Sequence, residues 1–310
     1  MKIYSLSEKE LEYEELRLFL NGALERDFIT RHMFERVISR DPNFSKDLVY
    51  LAYEGEELVG VLIGVYRVKS PPQYVERQKH VAWIKALAVP QEYRGKKIFD
   101  ELLEVYLNRV AEDGKTEVRF SDFASWYFYP GLDIHYEYYL SKFLEKGFTK
   151  AAEVVDYEVD LMYLRYPERV HRREEKAVKE GIVFHEVEAS EENKVVSWVT
   201  EKFSACWGIE ASMAIHEPEG GVWIAEKDGE ILGFSVYGGL EPNWFGPIGV
   251  DPKARGKGLG TILLYKCLES LRLRGYRYII IPWTTHLFFY TQLEGVKGVR
   301  HYWILKKELK

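Results

Sequence analysis

"GVDPKARGKGLGTILL", residues 249–264, passes from an apolar run through a stretch in which glycine alternates with basic residues, and then into a helical pattern. The helix that opens there explains the glycines. A helix amino terminus exposes about four unpaired N–H groups and carries roughly half a positive charge, so phosphate oxygens settle on it. Gly256, Gly258 and Gly260 remove the Cβ atoms that would hold a diphosphate away, and Arg255 and Lys257 add charge outside the amides. The stretch is not a Walker loop, because GxxxxGK[ST] is missing. It is a poor dinucleotide fingerprint too, because the next strand, "YRYIIIPW", ends without an acidic residue.

Working outward, the chain is written twice. "LAVPQEYRGKKIFDELLEVYL" from Leu87 matches "IGVDPKARGKGLGTILLYKCL" from Ile248, and the Val89 to Arg94 spacing repeats between Val250 and Arg255. Upstream, "EGEELVGVLIGVY" and "KDGEILGFSVYGG" each read as a turn followed by a strand containing Gly60 or Gly233. Apolar residues at Ile98, Leu102 and Val105, and at Leu264, Leu268 and Leu271, predict one helix with one apolar stripe in each half. "TEVRF" (116–120) and "YRYIII" (276–281) predict strands returning beside the preceding one. The expected fold class is α/β, a mixed sheet in each of two tandem domains, 1–164 and 182–310. The charged, aperiodic segment 165–181 is the expected linker, partly helical. Two stretches of the first half, 69–80 and 126–140, have no counterpart in the second and are expected to shape a cleft.

Composition narrows the function. With 310 residues and 46% hydrophobic content the chain can fill two cores. No apolar run reaches the roughly 20 residues that cross a bilayer, and the acidic start MKIYSLSEKELEYEE is unlike a signal peptide, so a cytoplasmic protein with no membrane partner is expected. Net charge −6 argues against a nucleic-acid partner. Cys206 and Cys267 lie far apart, without a CxxC or a nearby histidine pair, so no metal site is expected and both read as buried thiols. The charged fraction of 30%, beside two Cys and four Met, leans toward a heat-adapted source.

"GVDPKARGKGLGTILL", followed by a strand and "LFFYTQLEG", resembles the acetyl-CoA-binding core of the Gcn5-related N-acetyltransferases (GNAT), whose signature is R/Q-x-x-G-x-G/A. The resemblance covers nearly the whole chain, twice, as a tandem of two GNAT domains. In the second half Arg255, Gly258 and Gly260 all fit the signature. The resemblance implies that backbone amides of Arg255, Gly256, Lys257, Gly258, Leu259, Gly260 and Thr261 hold the diphosphate of acetyl-CoA, the expected co-substrate. It implies that the strand edge at Ile248, Gly249 and Val250 pairs with the pantetheine arm like an added strand, and that this strand splays from the next one. It also implies that Tyr290 protonates the departing thiolate, and that the Val250 N–H faces the oxyanion.

The first half reads Arg94, Gly95, Lys96, Lys97, Ile98, Phe99 where the second reads Arg255 to Gly260. Two glycines have become lysine and phenylalanine, and a ring at Phe99 takes the room a phosphate needs. Phe143 stands where Tyr290 does and has no proton to give. Both losses fall in one half. The second half is therefore the expected catalyst, and the first a scaffold, a substrate wall or the surface of a homodimer. Direct attack by an amine calls for a base: Glu241 is the best placed carboxylate, with Glu226, His286 and Cys206 weaker. The expected activity is N-acetyl transfer to a small-molecule or peptide amine. Two other readings stand beside it, an aminoacyl or peptidyl transferase of tandem type and a non-catalytic acyl-CoA sensor. Aromatics at Trp207, Trp244, Trp283, Tyr127 and Tyr129 are the residues available to wall an acceptor pocket, and none of them names the acceptor.

Overall fold

Each repeated segment lies in its own compact unit: Met1–Val154, completed by residues from His301 onward, and Val155–Arg300, in a computed structural model that describes residues 1–309. The first unit runs through β1 (Lys2–Ser5), α1 (Tyr13–Ala23), α2 (Arg31–Phe34), β2 (Val49–Glu54), β3 (Glu57–Val65), α3 (Pro72–Val75), β4 (Val81–Ala88), α4 (Ile98–Glu112), β5 (Glu117–Phe120), β6 (Leu132–Asp133), α5 (Glu137–Glu145) and the start of β7 (Thr149–Asp160). Strands β1 to β4 pair antiparallel in chain order, and β5 returns parallel to β4. On α4 the buried stripe is Ile98, Leu102 and Tyr106 rather than Val105. Tyr106 wins the position because it fills the space over Gly64, where a Cβ would stand 2.2 Å from its ring, and its hydroxyl donates to the Trp83 carbonyl at 2.7 Å. The unmatched stretch 126–140 goes inward: Trp126, Tyr127, Phe128 and Tyr129 are all buried within this unit.

The second unit takes the rest of β7, then α6 (Glu168–Lys179), β8 (Val183–Glu186), α7 (Glu192–Lys202), α8 (Ala205–His216), β9 (Gly221–Lys227), β10 (Glu230–Tyr237), β11 (Phe245–Val250), α9 (Leu259–Leu273), β12 (Tyr278–Thr284), α10 (Leu287–Tyr290) and the start of β13 (Val296–Glu308). Four strands pair in the order β11-β10-β9-β8. β12 pairs instead with residues 155–160 of β7, Ile279 opposite Val159. The α9 stripe of Leu264, Leu268 and Leu271 is buried, and so are Leu259, Leu263 and Tyr265. The helix is covered on a second side because α6 lies on it: Ala177 joins Ala254, Leu259 and Leu263 in one apolar cluster, Val170 joins Tyr265 and Leu268 in another, and Glu174 pairs with Lys266 at 2.6 Å.

The bounds of the units therefore fall elsewhere than at 165–181. That segment is α6, packed into the second unit. The chain leaves the first unit within β7 and re-enters it within β13, whose residues 305–308 lie antiparallel to β5 with Leu305 opposite Phe120.

Candidate functional site

The glycine loop of the second unit joins β11 to α9. Gly256 and Gly258 both take left-handed backbone, φ +81° each, and Gly258 is the residue that caps α9. Alternating left-handed residues turn successive N–H groups toward one side, the concavity in which anions are held. A depression of about 280 Å³ opens there, lined by Val250, Arg255, Gly256, Gly258, Gly260, Phe289 and Arg173 among others. Lys257 borders the loop on another groove, so the structure gathers Val250, Arg255, Gly256, Gly258, Leu259, Gly260 and Thr261 around one hollow.

The strand edge leading into this loop is open. Asp251 N–H bonds the Leu232 carbonyl at 2.9 Å, and alternation along an antiparallel ladder then turns the N–H and C=O groups of Val250 and Ile248 away from β10. On that side the chain touches β12 through a single bridge, Trp244, just before β11, with Ile280, and β11 and β12 belong to different sheets. The expected return of β12 beside β11 is replaced by a splay. A shape with free edge amides, positive-φ glycines and a hollow fits a thioester carrying an extended arm and a diphosphate.

Tyr290, the last residue of α10, has its ring buried against Tyr157 and Phe245, at centroid distances of 5.6 and 6.2 Å. Burial holds its phenol well above its ordinary pKa, so it stays protonated. Its hydroxyl makes no hydrogen bond among the described residues, whereas that of Tyr157 donates to the Leu287 carbonyl at 2.7 Å. Glu241 is buried, 6% exposed, in the turn that enters β11, three residues before the bridging Trp244, which donates its N–H to the Glu241 carbonyl at 2.9 Å. The weaker candidates are placed less favourably. Glu226 is tied to Lys194, His286 is exposed at the start of α10, and Cys206 is buried in α8. Cys267 is buried as well, its thiol pushed up to about 12 by burial. Beside the splay, the buried Asp156 of β7 accepts the N–H of Trp283 at 2.8 Å, where Trp283 takes φ +49°. No motif marks Asp156, which lies before the segment expected to separate the halves. Among the described residues no group of three or more His, Cys, Asp or Glu could hold a metal ion, and no helix is long and apolar enough to cross a membrane.

The first unit carries the same parts in another state. Val89, the counterpart of Val250, has its N–H bonded to the Tyr139 hydroxyl at 2.9 Å, and that hydroxyl donates back to the Val89 carbonyl at 3.1 Å. Tyr139 comes from α5, which has nine residues where α10 has four. Burial pushes its phenol up to about 12. Phe99 packs edge-on to Phe143 at 5.1 Å and against Tyr139 at 6.3 Å, filling the place of Gly260. Arg94 bonds Glu25 at 2.7 Å, and Lys96 bonds Glu54 at 2.5 Å. The cavity left beside Leu87, Phe120 and Tyr139 is about 10 Å³, room for about one water molecule.

Comparison with known proteins agrees with this geometry. The sequence matches the acetyltransferase (GNAT) family over residues 11–130 and again over 166–288. The chain belongs to that family, as a tandem of two GNAT regions, and the family is one of N-acyltransferases that use acetyl-CoA as co-substrate. Among solved structures, it superposes on the region described as a GCN5-related glucosamine N-acetyltransferase in a fungal multi-domain β-N-acetylglucosaminidase (TM-score 0.76, 17% identity, covering 99% of this chain and 38% of that one). The chain thus spans well under half of that protein. It also superposes on a GCN5-related N-acetyltransferase from Sphaerobacter thermophilus (TM-score 0.61, 14% identity, 94% and 91% covered). A third match is a tandem GNAT protein from the clavulanic acid biosynthesis pathway (TM-score 0.57, 15% identity, 84% and 82% covered). At these identities the likeness is one of fold. No curated protein matches by sequence.

Proposed function

We propose that the chain transfers an acetyl group from acetyl-CoA to an amine, by direct attack, in the second unit, with the first unit as its scaffold. One observation carries this reading: the Val250 edge is open and backed by a bare glycine loop, whereas the matching Val89 edge is bonded by Tyr139 and its loop filled by Phe99. The amides of residues 255–261 bind the diphosphate, and the edge at Ile248, Gly249 and Val250 orients the pantetheine arm as an added strand would. Acetyl-CoA supplies the activated carbonyl. The Val250 N–H offers a hydrogen bond to the oxygen on which charge develops. Tyr290, protonated and with no hydrogen-bond partner for its hydroxyl among the described residues, hands a proton to the departing thiolate. Glu241, at the entrance to β11, accepts the proton from the attacking amine, directly or through water.

The test is thiol release from acetyl-CoA across a panel of small-molecule and peptide amines. At least one amine is expected to support turnover, and Tyr290→Phe to lower kcat about 10²-fold while leaving acetyl-CoA affinity unchanged. Binding of CoA without transfer to any amine would favour the sensor reading. Equal turnover by wild type and Tyr290→Phe would remove the phenol from the mechanism.

A further inference from the structure

The cations around the two loops are treated differently. In the first unit Arg94 is paired with Glu25 at 2.7 Å and Lys96 with Glu54 at 2.5 Å, and only Lys97 lacks a carboxylate partner among the described residues. In the second, Arg255 reaches only the Val250 carbonyl at 3.3 Å, and Lys257 has no carboxylate partner among the described residues. A third cation joins them. Arg173 of α6 lies over the loop so closely that a Cβ added at Gly258 would stand 2.9 Å from its Cδ and 3.6 Å from its Nε. It lines the same 280 Å³ hollow as Arg255, Gly256 and Gly260.

Its place follows from how α6 is seated. Val170 and Ala177, one heptad apart, are buried against α9, and Glu174 between them is fixed by Lys266 at 2.6 Å and the Tyr166 hydroxyl at 2.6 Å. Arg173 flanks this seam and points along it toward the start of α9. Two neighbouring cations of the helix are paired within it, Arg172 with Glu168 at 3.1 Å and Lys176 with Glu180 at 3.9 Å. Arg173 has no such partner among the described residues. Two cations without a carboxylate partner among the described residues, Arg173 and Arg255, then line one hollow at the positive end of a 15-residue helix, with Lys257 beside it on the neighbouring groove, an arrangement that favours an anion.

We infer that Arg173 is a diphosphate-binding residue, carried by the helix that joins the two repeats and added to the glycine loop from outside it. The inference rests on the reading of this loop as the CoA site. The guanidinium donates to the diphosphate oxygens on the face opposite the loop amides, where its planar fork suits them better than an ammonium would.

The experiment measures affinity by calorimetry for wild type, Arg173→Gln and Arg173→Glu, with CoA, dephospho-CoA and phosphate-free S-acetylpantetheine as ligands, and records thermal unfolding of each variant. Arg173→Gln is expected to weaken CoA and dephospho-CoA by the same factor, about tenfold, and Arg173→Glu to weaken both further. S-acetylpantetheine affinity and the melting temperature are expected to stay at the wild-type values. Wild-type affinity for CoA in Arg173→Gln would overturn the inference. So would a loss seen with CoA but absent with dephospho-CoA, which would assign the residue to the 3′-phosphate, or an equal loss with S-acetylpantetheine, which would signal damage to the slot. Failure of the wild type itself to bind CoA would instead overturn the site on which the inference rests.

Discussion

Loop 94–99 and loop 255–260 share an arginine, a strand before them and a 15-residue helix after them, yet one is closed and the other open. Closure takes few differences: a phenylalanine at the position where the second loop has glycine, a helix long enough to bring Tyr139 onto Val89, and carboxylates paired with Arg94 and Lys96. On the function we propose, the difference teaches that side chains of this fold can stand in for interactions that a ligand makes in the other unit.

The largest expected effect breaks the comparison at its frame. A fragment of residues 182–310 keeps the whole glycine loop but lacks residues 155–160, the partner of β12, and α6, which covers α9. It is expected to show no cooperative thermal transition by circular dichroism. A sharp transition in that fragment would contradict the division of the chain into units.

Next in size is the pair of tyrosines. Tyr290→Phe is expected to cost about 10²-fold in kcat, whereas Tyr139→Phe leaves turnover at the wild-type value and instead lowers stability, by about 1–3 kcal/mol, because the buried Val89 N–H loses its acceptor. Chemical denaturation together with steady-state kinetics on both variants separates the two roles. A fall in kcat for Tyr139→Phe would show that the first slot takes part in the chemistry.

A pH profile sharpens the assignment of Tyr290. Its pKa is raised by burial, so the protonated, donating form persists at least up to the ordinary phenol value of about 10 and is lost only above it. The kcat of wild type is therefore expected to show no alkaline fall between pH 8 and about 10 that disappears in Tyr290→Phe. Such a fall would mean that the phenol ionises within the working range.

The smallest effect belongs to the counter-charge of the closed loop. Glu25→Gln is expected to cost less than about 1 kcal/mol, since this carboxylate is half exposed, and to leave CoA binding unchanged. Its acid is held below the ordinary value chiefly by the Arg94 hydrogen bond, so this contribution is present above the unfolded pKa and fades as pH falls through the folded one.

The repeat, the helices and the glycine loop were legible because they rest on local chemistry: turn glycines, apolar spacing and an arginine fixed five residues after a valine. Phe99 was legible for the same reason, as bulk at a position that demands none. The hydrogen bond that closes the first slot was not. Tyr139 and Val89 are 50 positions apart, and one tyrosine among 22 carries no mark of its partner. Nor was the passage of β7 and β13 from one unit into the other, since a strand's alternating pattern does not say which neighbour it joins. Arg173 lay in a segment that read as a linker because only Val170 and Ala177 are buried in its helix, too few to set an apolar period.

A calorimetric titration of CoA into the intact chain tests the division of labour most directly. The account requires one nucleotide per chain, retained in Tyr139→Phe and abolished in Gly258→Val, whose side chain would have to sit at φ +81° and 2.9 Å from Arg173. Two nucleotides per chain, or one that survives Gly258→Val, would contradict it.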